Sequence, residues 1–359
     1  MESKKIPVGI LGATGMVGQR FITLLKDHPY FEVVALAASP KSAGKKYSQA
    51  VDGRWDMKDP IPDAVKDIVV QGVESDIDDI TKRVKLVFCA VDIDKETTRK
   101  IEEDYAARNI AVVSNNSAHR WTPDVPMVLP EINPEHLQLI DIQRKNRGWD
   151  KGLIVVKPNC SIQCYVPMIT PLLKFKPTEV VVTTLQAISG AGKTFESWPE
   201  MVDNVNPLIR GEEEKSEKEP LKIWGEVTES GVKDFSGIQI SATCIRVPVS
   251  DGHMASVSIK FGEKPSVEQI LEEWSHFNPL ADLDLPSAPS PFITYFEEQD
   301  RPQTALDRDL GNGMGISAGR LRRDNILDYK FIGLSHNTIR GAAGGAILTA
   351  ELLKVKGYI

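Results

Sequence analysis

The sequence predicts an α/β protein. An N-terminal Rossmann-like, doubly wound parallel sheet comes first, and an α+β part with a mostly antiparallel sheet follows. Three features lead there. A glycine series, Gly12, Gly15 and Gly18, lies between an apolar strand pattern and a helical one. Short apolar strands then alternate with helices, the signature of a parallel sheet. After Cys160 the pattern changes to runs of alternating β-branched residues.

Residues 8–11 read as a buried strand, 12–18 as the turn, and 19–26 as a helix spaced by Phe21, Leu24 and Leu25. His28-Pro29 ends that helix, and 31–38 form a second apolar strand. Residues 41–66 are polar and carry Gly, Pro and Trp, so they read as a long excursion. Strands are expected at 86–91, 110–114 and 154–156, with a helix at 97–108. The apolar run 162–173 is compatible with a helix, although it contains Pro167 and Pro171. Further strands are expected at 179–187, 238–249 and 254–261, and helices near 196–209 and 213–226. The Pro- and Asp-rich segment 279–308 is expected to wrap the surface and to offer a subunit contact. The Gly/Ala-rich tail 337–355 is expected to be helical and to pack back on the first domain. The division is therefore 1–157 and 158–335, with 336–359 returning to the first unit.

At 359 residues the chain fits about two domains. It is 41% hydrophobic and 26% charged, ordinary for a folded protein. A net charge of -7 gives no support for nucleic-acid binding. No run of about 18 apolar residues marks a membrane span. Residues 1–5 lead straight into a strand pattern, so no signal peptide is expected. The four cysteines, Cys89, Cys160, Cys164 and Cys244, make no disulfide framework. Cys160 and Cys164 form C-x3-C without a partner pair, so no metal site is expected. This usage fits a reducing cytoplasm.

Glycines at a strand–helix turn let backbone N–H groups approach a pyrophosphate at the helix start. Gly12, Thr14, Gly15, Met16 and Val17 are the candidate contacts. Readers of NAD place a carboxylate at the end of the second strand. This chain has Ser39, Lys41 and Ser42 there, then Lys45 and Lys46. Hydroxyl and ammonium groups favour a 2′-phosphate, hence NADP.

Cys160 follows a strand and Pro158, and begins the apolar run. A helix start would favour its thiolate and lower its pKa. His253 is the candidate proton acceptor or donor and Asn159 a candidate oxyanion donor. A lone cysteine is more often structural, and so is a lone loop histidine. Beside a nucleotide cradle, the pair reads as acyl transfer through a thioester. Cys164, Cys89 and Cys244 read as core.

At these residues the chain resembles the aspartate-semialdehyde dehydrogenases, in their archaeal and fungal branch. The resemblance runs nearly end to end. It is carried by residues 12–20 (GATGMVGQR), 42–47 (SAGKKY), 124–126 (DVP), 158–161 (PNCS), 185–192 (LQAISGAG), 251–253 (DGH), 300–303 (DRPQ) and 336–344 (HNTIRGAAG). It implies NADPH-dependent reductive dephosphorylation of L-aspartyl 4-phosphate to L-aspartate 4-semialdehyde, on the route to lysine, threonine and methionine. Cys160 would form the thioester, His253 would be the acid/base and Gln186 would orient the intermediate. Arg246 would grip the substrate carboxylate, for which a guanidinium fork is suited. Glu212 would meet the substrate ammonium, and Lys215 and Arg120 the phosphate. An i, i+3 spacing puts Glu212 and Lys215 on one helix face. Ser189, Gly190, Gly192 and Asn337 would contact the cofactor. A homodimer or homotetramer would form through the second, catalytic and dimerisation domain.

The chain departs from the family pattern at 193–198 (KTFESW), at Ile245 and Pro248 around Arg246, and at 162–164 (IQC) after the cysteine. Malonyl-CoA reductase shares the Gln, Arg and His positions but lacks the Asn present here as Asn159. N-acetyl-glutamyl-phosphate reductase differs more around the cysteine. A cofactor sensor without turnover is the alternative of another class, and the complete set Cys160, Gln186, Arg246 and His253 stands against it.

Overall fold

The computed structural model describes residues 4–359. The expectation about residues 1–5 therefore lies partly outside the described residues, at 1–3. The first sheet holds β1 (Ile6–Leu11), β2 (Phe31–Ala38), β3 (Gln71–Gly72), β4 (Leu86–Cys89), β5 (Ala111–Ser114) and β6 (Leu153–Val156). They lie in the order β3-β2-β1-β4-β5-β6, all parallel. Strands β4, β5 and β6 are buried along their whole length, as continuous Val/Ile/Leu runs in a sheet covered on both faces must be. Helices α1 (Met16–Leu24), α2 (Lys95–Ala107) and α3 (Leu139–Arg147) accompany this sheet. Asp94 caps α2 by accepting from the Thr97 N–H at 2.9 Å, and Gly148, left-handed at φ 66°, ends α3.

The second sheet holds β7 (Pro177–Gln186), β10 (Gln239–Arg246), β11 (His253–Phe261), β12 (Ile293–Phe296), β13 (Ile316–Arg323) and β14 (Tyr329–Ser335). A small hairpin of β8 (Glu226–Thr228) and β9 (Gly231–Lys233) stands apart. The large sheet runs β10-β7-β11-β14-β13-β12. Its three inner pairings are antiparallel, and the outer pairs β10–β7 and β12–β13 are parallel. The sheet is mixed, with antiparallel pairing in the majority. Along β7, Val180, Val182, Thr184 and Gln186 turn inward while Val181 is half exposed. The inner face packs on the segment after Cys160 so closely that a Cβ on Gly333 would lie 1.9 Å from the Cys164 carbonyl oxygen.

Three expectations need correction. Residues 162–173 are not one helix: a 3-10 turn (Ser161–Cys164), one α turn (Val166–Ile169) and a second 3-10 stretch (Thr170–Phe175) succeed one another. Pro167 and Pro171 supply no N–H, and the ladder breaks there. Residues 196–209 hold only the 3-10 turn Pro199–Met201. Asp203 is left-handed, and Asn206 instead exchanges both backbone hydrogen bonds with Arg246, at 2.8 and 3.0 Å. Segment 279–308 does more than wrap the surface, since it supplies the edge strand β12 with Phe292 and Ile293 buried. The helix expected near 213–226 is α4 (Glu212–Ile223), and α5 (Val267–His276) opens with a capping box on Ser266.

The tail forms a π turn (Ile339–Ala343) and then α6 (Gly344–Val355). Ala346, Ile347, Ala350 and Leu353 share one core with Val8, Ile10, Val113 and Val155 of the first sheet. Each fully buried Ile or Leu there contributes about 1.5–3 kcal/mol. His28 Nε2 meets Glu351 Oε1 at 2.9 Å, which ties the tail to the end of α1.

Candidate active site

The chain winds outward from β1 through β2 and β3, then returns to place β4 on the other side of β1. That reversal opens a crevice at the strand ends, the usual ligand site of such sheets. Gly12 lies there with φ 85°, and a Cβ on it would stand 2.3 Å from the Ala90 carbonyl oxygen. A Cβ on Gly18 would stand 2.2 Å from the Gly12 carbonyl oxygen. Both positions accept only hydrogen. Gly15 is different: it is exposed and its Cβ would meet only Gly12 O at 3.6 Å, so its small size leaves room above the start of α1. Thr14, Met16 and Val17 stand half-buried around it.

At the end of β2, Ser39 and Lys41 are exposed, and Ser42 is buried with its N–H donating to Ser39 O at 2.9 Å. Lys46 is committed to Asp67 at 2.8 Å, whereas Lys41 and Lys45 have no such carboxylate partner among the described residues. Beyond β5, both side-chain amide atoms of Asn115 are buried without a hydrogen-bond partner among the described residues. A glycine cradle, unpaired lysines and an unsatisfied amide at the crevice mouth fit a dinucleotide carrying a 2′-phosphate.

The second sheet presents its candidate site residues along one edge. Gln186 ends β7 and Arg246 ends β10, directly paired in a parallel register. The neighbouring β11 runs the other way, so its first residue, His253, reaches the same edge. Cys160 meets it there: its Sγ lies 3.4 Å from His253 Nε2. The Ala187 N–H donates to His253 Nδ1 at 3.1 Å, which leaves Nε2 to carry the ring hydrogen of a neutral imidazole. The ring thus faces the sulfur as a hydrogen donor. Burial first, and then Arg246, holds its pKa near 3.

The expected lowering of the Cys160 pKa by a helix start is not what the structure gives. The following turn is a four-residue 3-10 segment with little dipole to offer. Burial, then the Glu212 carboxylate, pushes the thiol up to about 11, against the pull of Lys157, Arg120 and Arg246.

Arg246 is buried and donates to Ala187 O at 2.6 Å. A Cβ on Gly190 would lie 2.8 Å from an Arg246 guanidinium nitrogen and 3.1 Å from His253 Nε2. The 3-10 turn Ile188–Ala191 therefore needs glycine to pass over both. Gly192 closes that turn at φ 65°. Asn337 donates to Ser189 Oγ at 2.8 Å and accepts from the Gly252 N–H at 2.8 Å, so it ties the tail to both loops. Gln186 is buried, with its amide donating to Thr184 Oγ1 at 3.2 Å. Residues 193–198 lie at the surface beside this edge, with Lys193, Glu196 and Ser197 exposed and Thr194, Phe195 and Trp198 half-buried.

Helix α4 lays one stripe against the thiol segment. Glu212 accepts from Lys215 at 2.7 Å and from the Asn159 amide at 3.1 Å. Glu219, fully buried, binds Arg120 at 2.8 Å and the Asn159 N–H at 2.6 Å. Lys222 donates to Arg120 O at 2.6 Å. Asn159 also accepts from both the N–H and the hydroxyl of Ser161 at 2.7 Å. Its side chain is thus engaged in shaping the turn. Arg120 gives two further donors to Lys157 O at 3.0 Å and Asn115 O at 3.3 Å, which leaves two of its five N–H groups. Glu219 escaped the sequence reading, although the spacing 212, 215, 219, 222 traces one helical face. Gly341 was legible only as part of a motif; a Cβ there would lie 2.7 Å from the Cys160 Cβ.

Two family models match the chain: "Semialdehyde dehydrogenase, NAD binding domain" over residues 7–140, and "Semialdehyde dehydrogenase, dimerisation domain" over 169–340. The aspartate-semialdehyde dehydrogenase of Archaeoglobus fulgidus is 46% identical over 346 residues, covering 96% of this chain and 97% of its own. That of Candida albicans is 43% identical with both chains fully covered. The crystal structure of aspartate-semialdehyde dehydrogenase with NADP from Candida albicans matches with a TM-score of 0.89 and 40% identity, covering 99% of this chain and 100% of the other. With archaeal and fungal relatives matching from end to end, and both sheets overlaid on a solved member, the chain belongs to the aspartate-semialdehyde dehydrogenase family.

Proposed function

We propose that the chain reduces L-aspartyl 4-phosphate to L-aspartate 4-semialdehyde with NADPH, through a thioester on Cys160. The observation that carries the reading is the 3.4 Å approach of Cys160 to His253 at an edge shared with Gln186 and Arg246. The Cys160 thiolate attacks the acyl carbon and the C–O bond to phosphate breaks, leaving the acyl group on sulfur. NADPH, when bound, would supply the hydride to the acyl carbon; the C–S bond then breaks, which releases the aldehyde and returns the Cys160 thiolate. His253 donates at the sulfur side, where its Nε2 faces the reacting centre. Arg246 holds the substrate carboxylate, Glu212 its ammonium, Lys215 and Arg120 the phosphate, and Gln186 the acyl group. Asn159 holds the turn that carries the thiol. Gly12, Thr14, Gly15, Met16 and Val17 take the pyrophosphate side of NADP; Ser39, Lys41 and Ser42 take the 2′-phosphate. Ser189, Gly190, Gly192 and Asn337 take the nicotinamide side.

Residues 1–157 act as the nucleotide unit and 158–335 as the catalytic and dimerisation unit. The match to a family model described as a dimerisation domain supports a homodimer or homotetramer. Four free cysteines suit a cytoplasmic setting. No helix among the described residues is long and apolar enough to cross a membrane. The test is nicotinamide absorbance with NADP, phosphate and aspartate semialdehyde, beside malonyl-CoA with NADPH. Turnover of the first set alone is expected; turnover of malonyl-CoA alone would reassign the substrate.

A further inference from the structure

Lys157 follows β6 and stands three residues before the thiol. Its backbone is fixed on both sides: its N–H donates to Ser114 O at 2.8 Å and its C=O accepts from Arg120 Nε at 3.0 Å. The residue is only 2% exposed, and its Nζ has no hydrogen-bond partner among the described residues. A Cβ on Gly345 would lie 2.3 Å from its Cε and 3.0 Å from its Nζ. Four residues earlier in the same helical tail, Gly341 makes the matching close approach to Cys160. One stretch of tail, thinned by two glycines, therefore covers both side chains.

The carboxylates packed around this pair each hold a basic side chain already. Arg340 is bound to Glu131, Arg120 to Glu219, and Glu212 to Lys215. Arg246 gives a donor to Ala187 O, and His253 faces the sulfur as a donor. An ammonium buried with no counter-charge is strongly disfavoured. Among the acidic groups around it, the Cys160 sulfur is the one with no cationic side chain bound to it, since His253, its neighbour at 3.4 Å, is a neutral donor.

We propose that the Lys157 ammonium is the counter-charge of the Cys160 thiolate, a positioning residue that supports ionisation of the sulfur from beneath the helical tail. The electrostatics agree in direction. Burial and Arg340 bring Lys157 down to about 7, and Lys157 is the leading cation favouring the Cys160 anion. Each charge makes the other less costly.

The inference builds on the thioester reading but is tested without substrate, so the two can fail separately. Iodoacetamide labelling of Cys160 is followed by mass spectrometry across pH in the wild type, Lys157→Met and Lys157→Gln. Circular dichroism and NADP binding verify that each variant is folded. The second variant serves where the first does not fold. The expected result is a labelling midpoint raised by about one pH unit, close to a tenfold slower labelling at neutral pH, with NADP affinity unchanged. A midpoint equal to or below that of the wild type in a folded variant overturns the proposal. Absence of an acyl adduct in the wild type would remove the thioester while leaving this comparison standing.

Discussion

The nucleotide crevice and the thiol edge are built by opposite means. The crevice is made of backbone: Gly12 and Gly18 admit no Cβ, and the whole turn lies within seven consecutive residues. The thiol edge is made of side chains brought from the ends of β7, β10, β11, the start of α4 and the tail. Backbone sites are fixed by local conformation. Side-chain sites depend on second contacts, such as Glu219 holding both Arg120 and the Asn159 N–H. Substitutions in the two regions should therefore fail differently: the crevice by steric exclusion, the edge by loss of chemistry or an unpaired charge.

The largest separation is expected from Cys160→Ala. Turnover should fall by roughly 10⁴-fold or more, while NADP titration gives the wild-type affinity. A variant retaining dehydrogenase activity would break the contrast outright. Next comes Glu219→Leu, which strands the buried Arg120 guanidinium. A loss of about 3–5 kcal/mol is expected in urea unfolding, and a loss under 1 kcal/mol would mean that Arg120 finds another partner.

Gly18→Ala tests the opposite region. Overpacking against Gly12 O should cost about 1–3 kcal/mol and weaken NADP binding, while Cys160 labelling by iodoacetamide is retained. Wild-type cofactor affinity would show that the turn can relax.

The smallest effect is in pH. Burial holds His253 near 3, below its ordinary 6.5. The unfolded chain takes up this proton first, so stability rises with pH between about 3 and 6.5 and is lost as pH falls through that window. For this group the slope is on the order of 1 kcal/mol per pH unit. His119, His136 and His336 are lowered by burial too and add in the same direction. Urea midpoints at pH 7 and pH 5 should differ less in His253→Gln than in the wild type; equal differences would contradict the buried neutral ring.

The same contrast explains what the sequence made legible. Five of the six strands of the first sheet could be read because they are apolar runs and the glycines sit at a strand–helix turn; the two-residue edge strand β3, Gln71-Gly72, carries no such signal. The helix expected at 196–209 could not be corrected from sequence, because only tertiary pairing of Asn206 with Arg246 pulls that segment straight. Proline at 167 and 171 did signal a broken helix, and with it went the dipole expected to assist Cys160. Glu219 and Lys157 were invisible as site residues: one looks like a charge on a solvated helix and the other like the residue before a proline. Only burial reveals both.

Acylation of Cys160 is the claim on which the account turns. Protein incubated with L-aspartyl 4-phosphate in the absence of reductant, then digested and weighed, should carry one aspartyl group on Cys160 that NADPH discharges as aldehyde. An unmodified Cys160 in a preparation that turns over normally would contradict it.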